Sequence, residues 1–173
     1  LFRLIYPYAY LDSVFDIDYE KLSDLGYKAI IFDIDSTLVP HGADTTDEID
    51  ELFSYIHNLG FKTLFLSNNS AERIQDFNRN INSLFIPMAN KPHKPNYLKA
   101  IEMLDVNKDE VVLVGDQLFT DVLGANLCGI KSILVKYLLH EHEQHLAIGK
   151  KRQVEKVLLK FYKQRFPNIK KMR

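Results

Sequence analysis

Within "IIFDIDSTLV" (residues 30–39) two carboxylates, Asp33 and Asp35, stand two positions apart at the end of an apolar run. Side chains two apart on an extended chain point to the same side, about 6 to 7 Å apart along it, so the spacing suits carboxyl groups that act together. Asp33 can attack phosphorus while Asp35 protonates the leaving oxygen and then activates water, which divides one hard displacement into two easier ones. An anionic nucleophile meeting an anionic phosphate needs compensating positive charge. Groups able to supply or organise it follow later apolar runs: Ser67 and Asn68 after "FKTLFL" (61–66), Lys91 after "LFIPM" (84–88), and Asp116 and Asp121 after "VVLVG" (111–115). Mg2+ held by Asp33 and Asp116, the Lys91 ammonium, and Ser67 with the N–H groups at the start of the next helix would together hold a phosphoryl group.

These residues can meet only if the runs before them are neighbouring strands. "AIIF" (29–32) is continuously apolar, as expected of a parallel strand covered on both faces. "TTDEIDELFSYIHNLG" (45–60) reads as a helix, with Thr45 and Glu48 at capping-box spacing, Ile49, Leu52, Phe53 and Ile56 on one face, and Gly60 as its stop. A second helix is expected to start near Asn69 or Ser70, a third to run from Pro95 to about Leu104, and a fourth to occupy "LFTDVLGANLC" (118–128), before a last strand "KSILV" (131–135). Asp16 and Asp18 are expected to cap a short helix ending near Leu25. Strand and helix thus alternate, which predicts an α/β, three-layer fold with a five-stranded parallel sheet and right-handed crossovers. In such sheets ligands sit beyond the carboxyl ends of the strands, where all the residues named above fall.

Composition narrows the classes. The chain has 173 residues, 46% of them hydrophobic, which is enough for one domain with a core and little more. A lone cysteine, Cys128, excludes an intramolecular disulfide framework and reads as a small core residue near a helix end. No stretch reaches the roughly 18 apolar residues of a membrane span, and "LFRLIYPYAYL" at the start is broken by Pro7 and lacks a cleavage site, so a cytoplasmic protein without a signal peptide is expected. The chain opens on Leu1 and not on methionine, which leaves room for residues upstream. The net charge of −1 conceals a division: residues 150–173 hold ten Lys or Arg and one acid, Glu155, leaving 12 bases and 22 acids before them.

In order along the chain, "DIDSTLV", "LSNNS", "NKP" and "VGDQLFTDVLGAN" resemble the four motifs of the haloacid dehalogenase-like (HAD) phosphatases. More narrowly the chain resembles the YqeG-type members of subfamily IIIA, related to phosphatidylglycerophosphate phosphatases, over residues 11 to 165. The resemblance implies a Rossmannoid fold with Asp33 as phosphoryl acceptor, Asp35 as acid/base, and Lys91 as the third-motif lysine. It further implies Ser67 and Asn68 as phosphate-binding residues, and Mg2+ on Asp33, Asp116 and the backbone carbonyl of Asp35. Thr37 and Asp121 take supporting places. Asn often stands in this family where Ser36 stands here. Lys94 also precedes a proline, but Lys91 places Tyr97 where the family carries an aromatic residue.

Asp33 to Ser67 spans 34 residues and Ser67 to Lys91 spans 24, each about one helix, one strand and their loops, so no lid domain fits and "VPHGADT" (39–45) is the obvious flap. One domain is expected, 1–173, with an N-terminal segment 1–28 and a basic amphipathic C-terminal helix 150–173. An open site favours a large phosphorylated substrate such as a membrane phospholipid, phosphatidylglycerophosphate leading. Val154, Val157, Leu158 and Phe161 follow helical spacing among Lys and Arg; this stripe either packs on the protein's own sheet or lies peripherally on an anionic bilayer. Nucleic acid is not an expected partner, for want of interleaved exposed aromatics. "HEHEQH" (140–145) lacks closed zinc spacing and reads as a solvated loop. Rival readings are a receiver-type signalling domain, whose acids do not stand as D-x-D, a phosphatase of another substrate, and a ribosome- or GTPase-associated protein with a secondary phosphatase site.

Overall fold

The computed structural model describes residues 2–140 and 149–165. β2 (Ala29–Phe32) forms where four apolar residues run together, and all four are buried because layers cover both its faces. It pairs in parallel with β3 (Lys62–Leu66) on one side and with β5 (Val111–Gly115) on the other. β4 (Leu84–Ile86) lies beyond β3, and β6 (Lys131–Val135) beyond β5. The expected count of five strands is corrected to six. Ala9–Leu11 forms β1, which pairs in parallel with β6, so the order is β1-β6-β5-β2-β3-β4. Three residues are too few for a periodic signal, and this strand owes its form to the ladder of β6.

Alternation across the strands sends Ile30 and Phe32 to one face and Ala29 and Ile31 to the other. α1 (Tyr19–Asp24), α2 (Asp47–Asn58) and α3 (Ala71–Phe77) cover the first face through Leu22, Phe53 and Phe77. α4 (Lys94–Leu104) and α5 (Leu123–Leu127) cover the second through Tyr97, Ala100 and Ala125. This is the expected three-layer architecture, and only single helices and loops link β2 to β3 and β3 to β4, with no large cap.

Capping differs in two places from the expected pattern. Thr46, and not Thr45, accepts the Ile49 N–H at the start of α2, while Thr45 donates to the Asp50 carboxylate at 2.7 Å. Asp18 caps α1 and Ser70 caps α3, whereas Asp16 lies in a preceding 3-10 turn. Residues 118–128 do not form one regular helix: a π-helical turn over Leu118–Val122 precedes α5. The Tyr97 hydroxyl donates to the Thr120 carbonyl of that turn at 2.8 Å.

α6 (Lys150–Arg165) splits the apolar stripe read from its sequence. Leu158, with Leu159, packs on Leu118, Val122 and Leu134, while Val154, Val157 and Phe161 face outward with 51%, 69% and 48% exposure. Among the described residues no helix is long and apolar enough to cross a membrane. Of "HEHEQH", residues 141–145 lie outside the described residues; His140 meets the His41 carbonyl at 2.8 Å. Cys128 is half-buried against the second core cluster.

Close packing of α5 on α4 gives a stability test. A Cβ on Gly124 would stand 2.2 Å from the Tyr97 hydroxyl and ring. Alanine gains about 0.5–1 kcal/mol over glycine inside a helix, but overpacking costs about 1–3 kcal/mol. Gly124→Ala is therefore expected to lower the urea midpoint of unfolding; an equal or higher midpoint would mean that the ring yields at no cost.

Candidate active site

From β2 the chain builds outward through β3 and β4, then returns to lay β5 on the other side of β2. The ends of β2 and β5 therefore flank the point where strand order reverses, the place where open α/β sheets form a crevice. Asp33 continues β2, its N–H donating to the Val114 carbonyl at 2.9 Å, and Asp116 directly follows β5. Asp121 comes from the π-helical turn. Gly115 lets it approach, because a Cβ there would lie 2.5 Å from the Asp121 carboxyl carbon.

Carboxylate oxygens of Asp33, Asp116 and Asp121 all lie within 4.8 Å of one another, and all three residues are buried. Lys91 stands among them, its Nζ 2.7 Å from Asp33 Oδ1 and 2.7 Å from Asp121 Oδ1. The other Asp121 oxygen accepts the Gln117 N–H at 3.0 Å, and the Lys91 N–H donates to Asn68 Oδ1 at 3.0 Å. Lys94 is exposed at the start of α4, so Lys91 is the lysine that the fold brings to the cluster. Thr37 donates to Asp116 Oδ1 at 3.2 Å. Buried Ser67 accepts the Asn69 N–H at 3.2 Å, at the end of β3.

Asp35 lies in a different set of contacts. Its carboxylate accepts from Asn69 Nδ2 at 2.9 Å and from the Gly42 N–H at 3.1 Å, with His41 Nδ1 at 3.1 Å and Arg73 at 3.7 Å. The flap expected at 39–45 thus folds onto Asp35, while Asp33 faces the acidic cluster. Ser36, directly after Asp35, has a φ of 62°, a left-handed conformation that asparagine takes more readily than serine.

Arg152 of α6 was not legible as a site residue. Its guanidinium bonds both the carboxylate and the carbonyl of Asp116, the latter at 3.0 Å, and pairs with Glu155 at 3.3 Å. Buried Glu155 also accepts the Phe119 N–H at 3.4 Å. In the sequence Arg152 is one of ten bases in the tail, and nothing marks it from the rest. His41, Asn69 and Arg73 were equally unmarked as partners of Asp35.

Electrostatics follow from this crowding. Burial pushes the Asp33 carboxyl up to about 7; Lys91 opposes the rise, and Asp121 and Asp116 add to it. Asp116 is pushed up to about 6 by burial and by Asp121, against Arg152. Burial alone would lower Lys91, but Asp121 and Asp33 outweigh it and hold the ammonium above its ordinary range. Three ionised carboxylates with Lys91 and Arg152 leave one net negative charge, and two without Arg152. Oxygen donors in such a group fit a hard divalent cation.

Residues 88–158 match the HAD-hydrolase-like family. Over 134 residues, 77% of this chain and 78% of the relative, the sequence is 34% identical to the probable phosphatase YqeG of Bacillus subtilis (strain 168). The chain belongs to the YqeG-type phosphatases of the HAD superfamily. An uncharacterised protein from Listeria monocytogenes serotype 4b is similar in fold, with a TM-score of 0.54 at 21% identity over 77% of this chain and 99% of its own. So is the cobalt-bound deoxy-D-mannose-octulosonate 8-phosphate phosphatase of Haemophilus influenzae, with a TM-score of 0.50 at 13% identity, covering 81% of this YqeG-type chain and 90% of its own. HAD superfamily members use a divalent metal, and the three buried carboxylates of this phosphatase are a group that could hold one.

The raised carboxyls set a sign for stability. A buried acid whose value rises on folding binds more protons in the native than in the unfolded state, so its contribution falls as pH climbs from the ordinary carboxylate range toward the folded value. For Asp33 that window runs from about 4 to about 7. Half-buried His57 is shifted down by desolvation and acts in the opposite sense, so a difference between proteins is the clean measurement. In EDTA the wild type is expected to lose stability relative to Asp33→Asn between pH 5 and pH 7.5, by urea unfolding, and added Mg2+ to shrink that loss; a pH-independent difference would contradict the charge balance described here.

Proposed function

We propose that this phosphatase is a Mg2+-dependent phosphomonoesterase that works through an aspartyl-phosphate on Asp33. The observation that carries the reading is the placement of Asp33 beside Lys91 within a buried set of oxygen donors at the strand-order reversal. Asp33 attacks phosphorus and the bond to the leaving oxygen breaks, with Asp35 giving that oxygen its proton. Water then attacks the same phosphorus, Asp35 takes its proton, and the bond to Asp33 breaks to release phosphate. Asp33, Asp116 and the backbone carbonyl of Asp35 would hold Mg2+, which when bound supplies positive charge against the transferring phosphoryl group. Ser67 and Asn68 bind phosphate oxygens, Lys91 offsets charge on the Asp33 side, and Thr37 and Asp121 keep Asp116 and Lys91 in place. Asn69, the Gly42 N–H and His41 hold the Asp35 carboxylate toward the flap.

The leading substrate is a phospholipid headgroup such as phosphatidylglycerophosphate, reached from the membrane surface. The absence of a large cap supports this, since an extended substrate can help exclude water from the site. α6 supports it as well. Glu155, its one acid, is turned inward onto Arg152, so the outward face that carries Val154, Val157 and Phe161 has bases and no acid. Such a face suits an anionic bilayer, at about 1 kcal/mol per basic residue near the surface.

With an aryl phosphate and Mg2+, Asp33→Asn is expected to lose at least about 10³-fold in kcat and Asp35→Asn about 10²–10⁴-fold; full activity in Asp33→Asn would refute the aspartyl-phosphate. Phosphatidylglycerophosphate in vesicles is expected to be turned over faster than sugar or nucleotide phosphates. Sedimentation with anionic vesicles should weaken as salt rises and vanish for neutral ones. Equal turnover of the soluble esters would remove the lipid assignment.

A further inference from the structure

Arg152 reaches from α6 to Asp116, and its guanidinium donates to both the carboxylate Oδ2 and the backbone carbonyl of that residue, the latter at 3.0 Å. We propose that Arg152 is a positioning residue of the cation site: it sets the Asp116 carboxylate for a divalent cation, so that the C-terminal helix is a working part of the reacting centre. None of the four sequence motifs contains it. The inference rests on the reading above in which Asp116 holds the metal, and it adds a residue from outside the strand ends.

Asp116 depends on this contact. Its side chain is fully out of water, and because Lys91 hydrogen-bonds Asp33 and Asp121, Arg152 is the base paired with Asp116 among the described residues. Thr37 donates to the other carboxylate oxygen, Oδ1, at 3.2 Å, so donors on both oxygens fix the plane of the group. Arg152 is itself held. Glu155 accepts from it at 3.3 Å, and the Tyr137 ring centroid lies 4.8 Å from its guanidinium carbon. Glu155 also accepts the Phe119 N–H at 3.4 Å, which fastens the pair to the π-helical turn, and Leu158 and Leu159 seat the helix on Leu118, Val122 and Leu134. Carboxylates that bind metals keep their orientation through hydrogen-bonded neighbours of this kind, whose loss costs about 10–100-fold in metal affinity.

Charge decides between a guanidinium that helps a cation and one that displaces it. Three acids, Asp33, Asp116 and Asp121, with one base, Lys91, carry two net negative charges, the complement of a divalent cation. Arg152 arrives with buried Glu155, and that pair is neutral, so the helix orients Asp116 and leaves the balance unchanged. Removing Arg152 alone leaves Glu155 as a fourth buried acid and makes the centre more negative. Net charge by itself therefore predicts a tighter cation in the absence of Arg152, whereas lost orientation predicts a weaker one. The two are told apart by sign.

The test reads Mn2+ binding to the whole chain by electron paramagnetic resonance, without turnover. Arg152→Gln is expected to bind Mn2+ about 10–100-fold more weakly than the wild type. Arg152→Lys keeps the charge but not the planar fork that bonds carboxylate and carbonyl together, so its affinity should fall between the two. With an aryl phosphate, the Mg2+ concentration for half-maximal activity should rise by the same factor in Arg152→Gln, and saturating Mg2+ should recover most of the lost rate; a folding defect would lower kcat at every Mg2+ concentration. Urea midpoints in EDTA establish that folded proteins are compared, and Arg152→Lys carries the comparison should Arg152→Gln fail to fold. Unchanged Mn2+ affinity in both variants overturns the inference, and tighter binding in Arg152→Gln overturns it in favour of a guanidinium that competes with the cation. A wild type that binds no Mn2+ removes the cation reading on which the inference depends. One that binds Mn2+ more tightly than Arg152→Gln but hydrolyses no ester refutes the phosphatase mechanism and leaves the role of Arg152 standing.

Discussion

Three carboxylates held within 4.8 Å of one another, out of water, would repel strongly enough to open the end of the sheet unless positive charge stood among them. Lys91 provides it for two of the three, at 2.7 Å from each, and Arg152 provides it for Asp116. Much of the neighbouring backbone serves that placement. Asn68 holds the Lys91 N–H, Gly115 leaves room for Asp121, and the π-helical turn directs Asp121 back toward β5. Desolvation raises the value of buried acids, and here the same crowding makes the group receptive to a divalent cation.

α6 has two unlike sides because its single acid points inward. Glu155 and Arg152 anchor the helix on Asp116 and on the π-helical turn, with Leu158 and Leu159 adding an apolar footing. This arrangement puts a guanidinium on a carboxylate that could also serve a metal, and leaves the outer side to bases and exposed apolar groups. One helix therefore connects the charge state of the reacting centre with whatever meets the protein's surface.

Most of this architecture could be read from the residues because interior parallel strands are continuous apolar runs, which short windows reveal. "AIIF", "VVLVG" and "KSILV" became strands with the bounds read from them, and the residues after them met at one edge. β1 was missed because three residues inside an aromatic stretch show no period of their own. Thr45 and Thr46 are adjacent candidates for one cap, and backbone geometry, not residue type, chose between them. Lys91 was preferred to Lys94 through Tyr97, which fills the space beside Gly124, and Lys91 is the one of the two that stands among the buried carboxylates. Arg152 stayed hidden for a different reason. A long-range contact between a helix and a strand end 36 residues earlier is written in neither local pattern, and nine similar charges surround it in the tail.

The sheet closes on its shortest members. β1 and β4, at its two edges, have three residues each, whereas every strand between them has four or five. Unpaired N–H and C=O groups at a border can template the addition of a foreign strand, and so brief a border offers few of them in register. A chain that is 46% hydrophobic, with a core of long apolar runs, thereby keeps its most adhesive segments in the middle and shows neighbouring molecules only stubs.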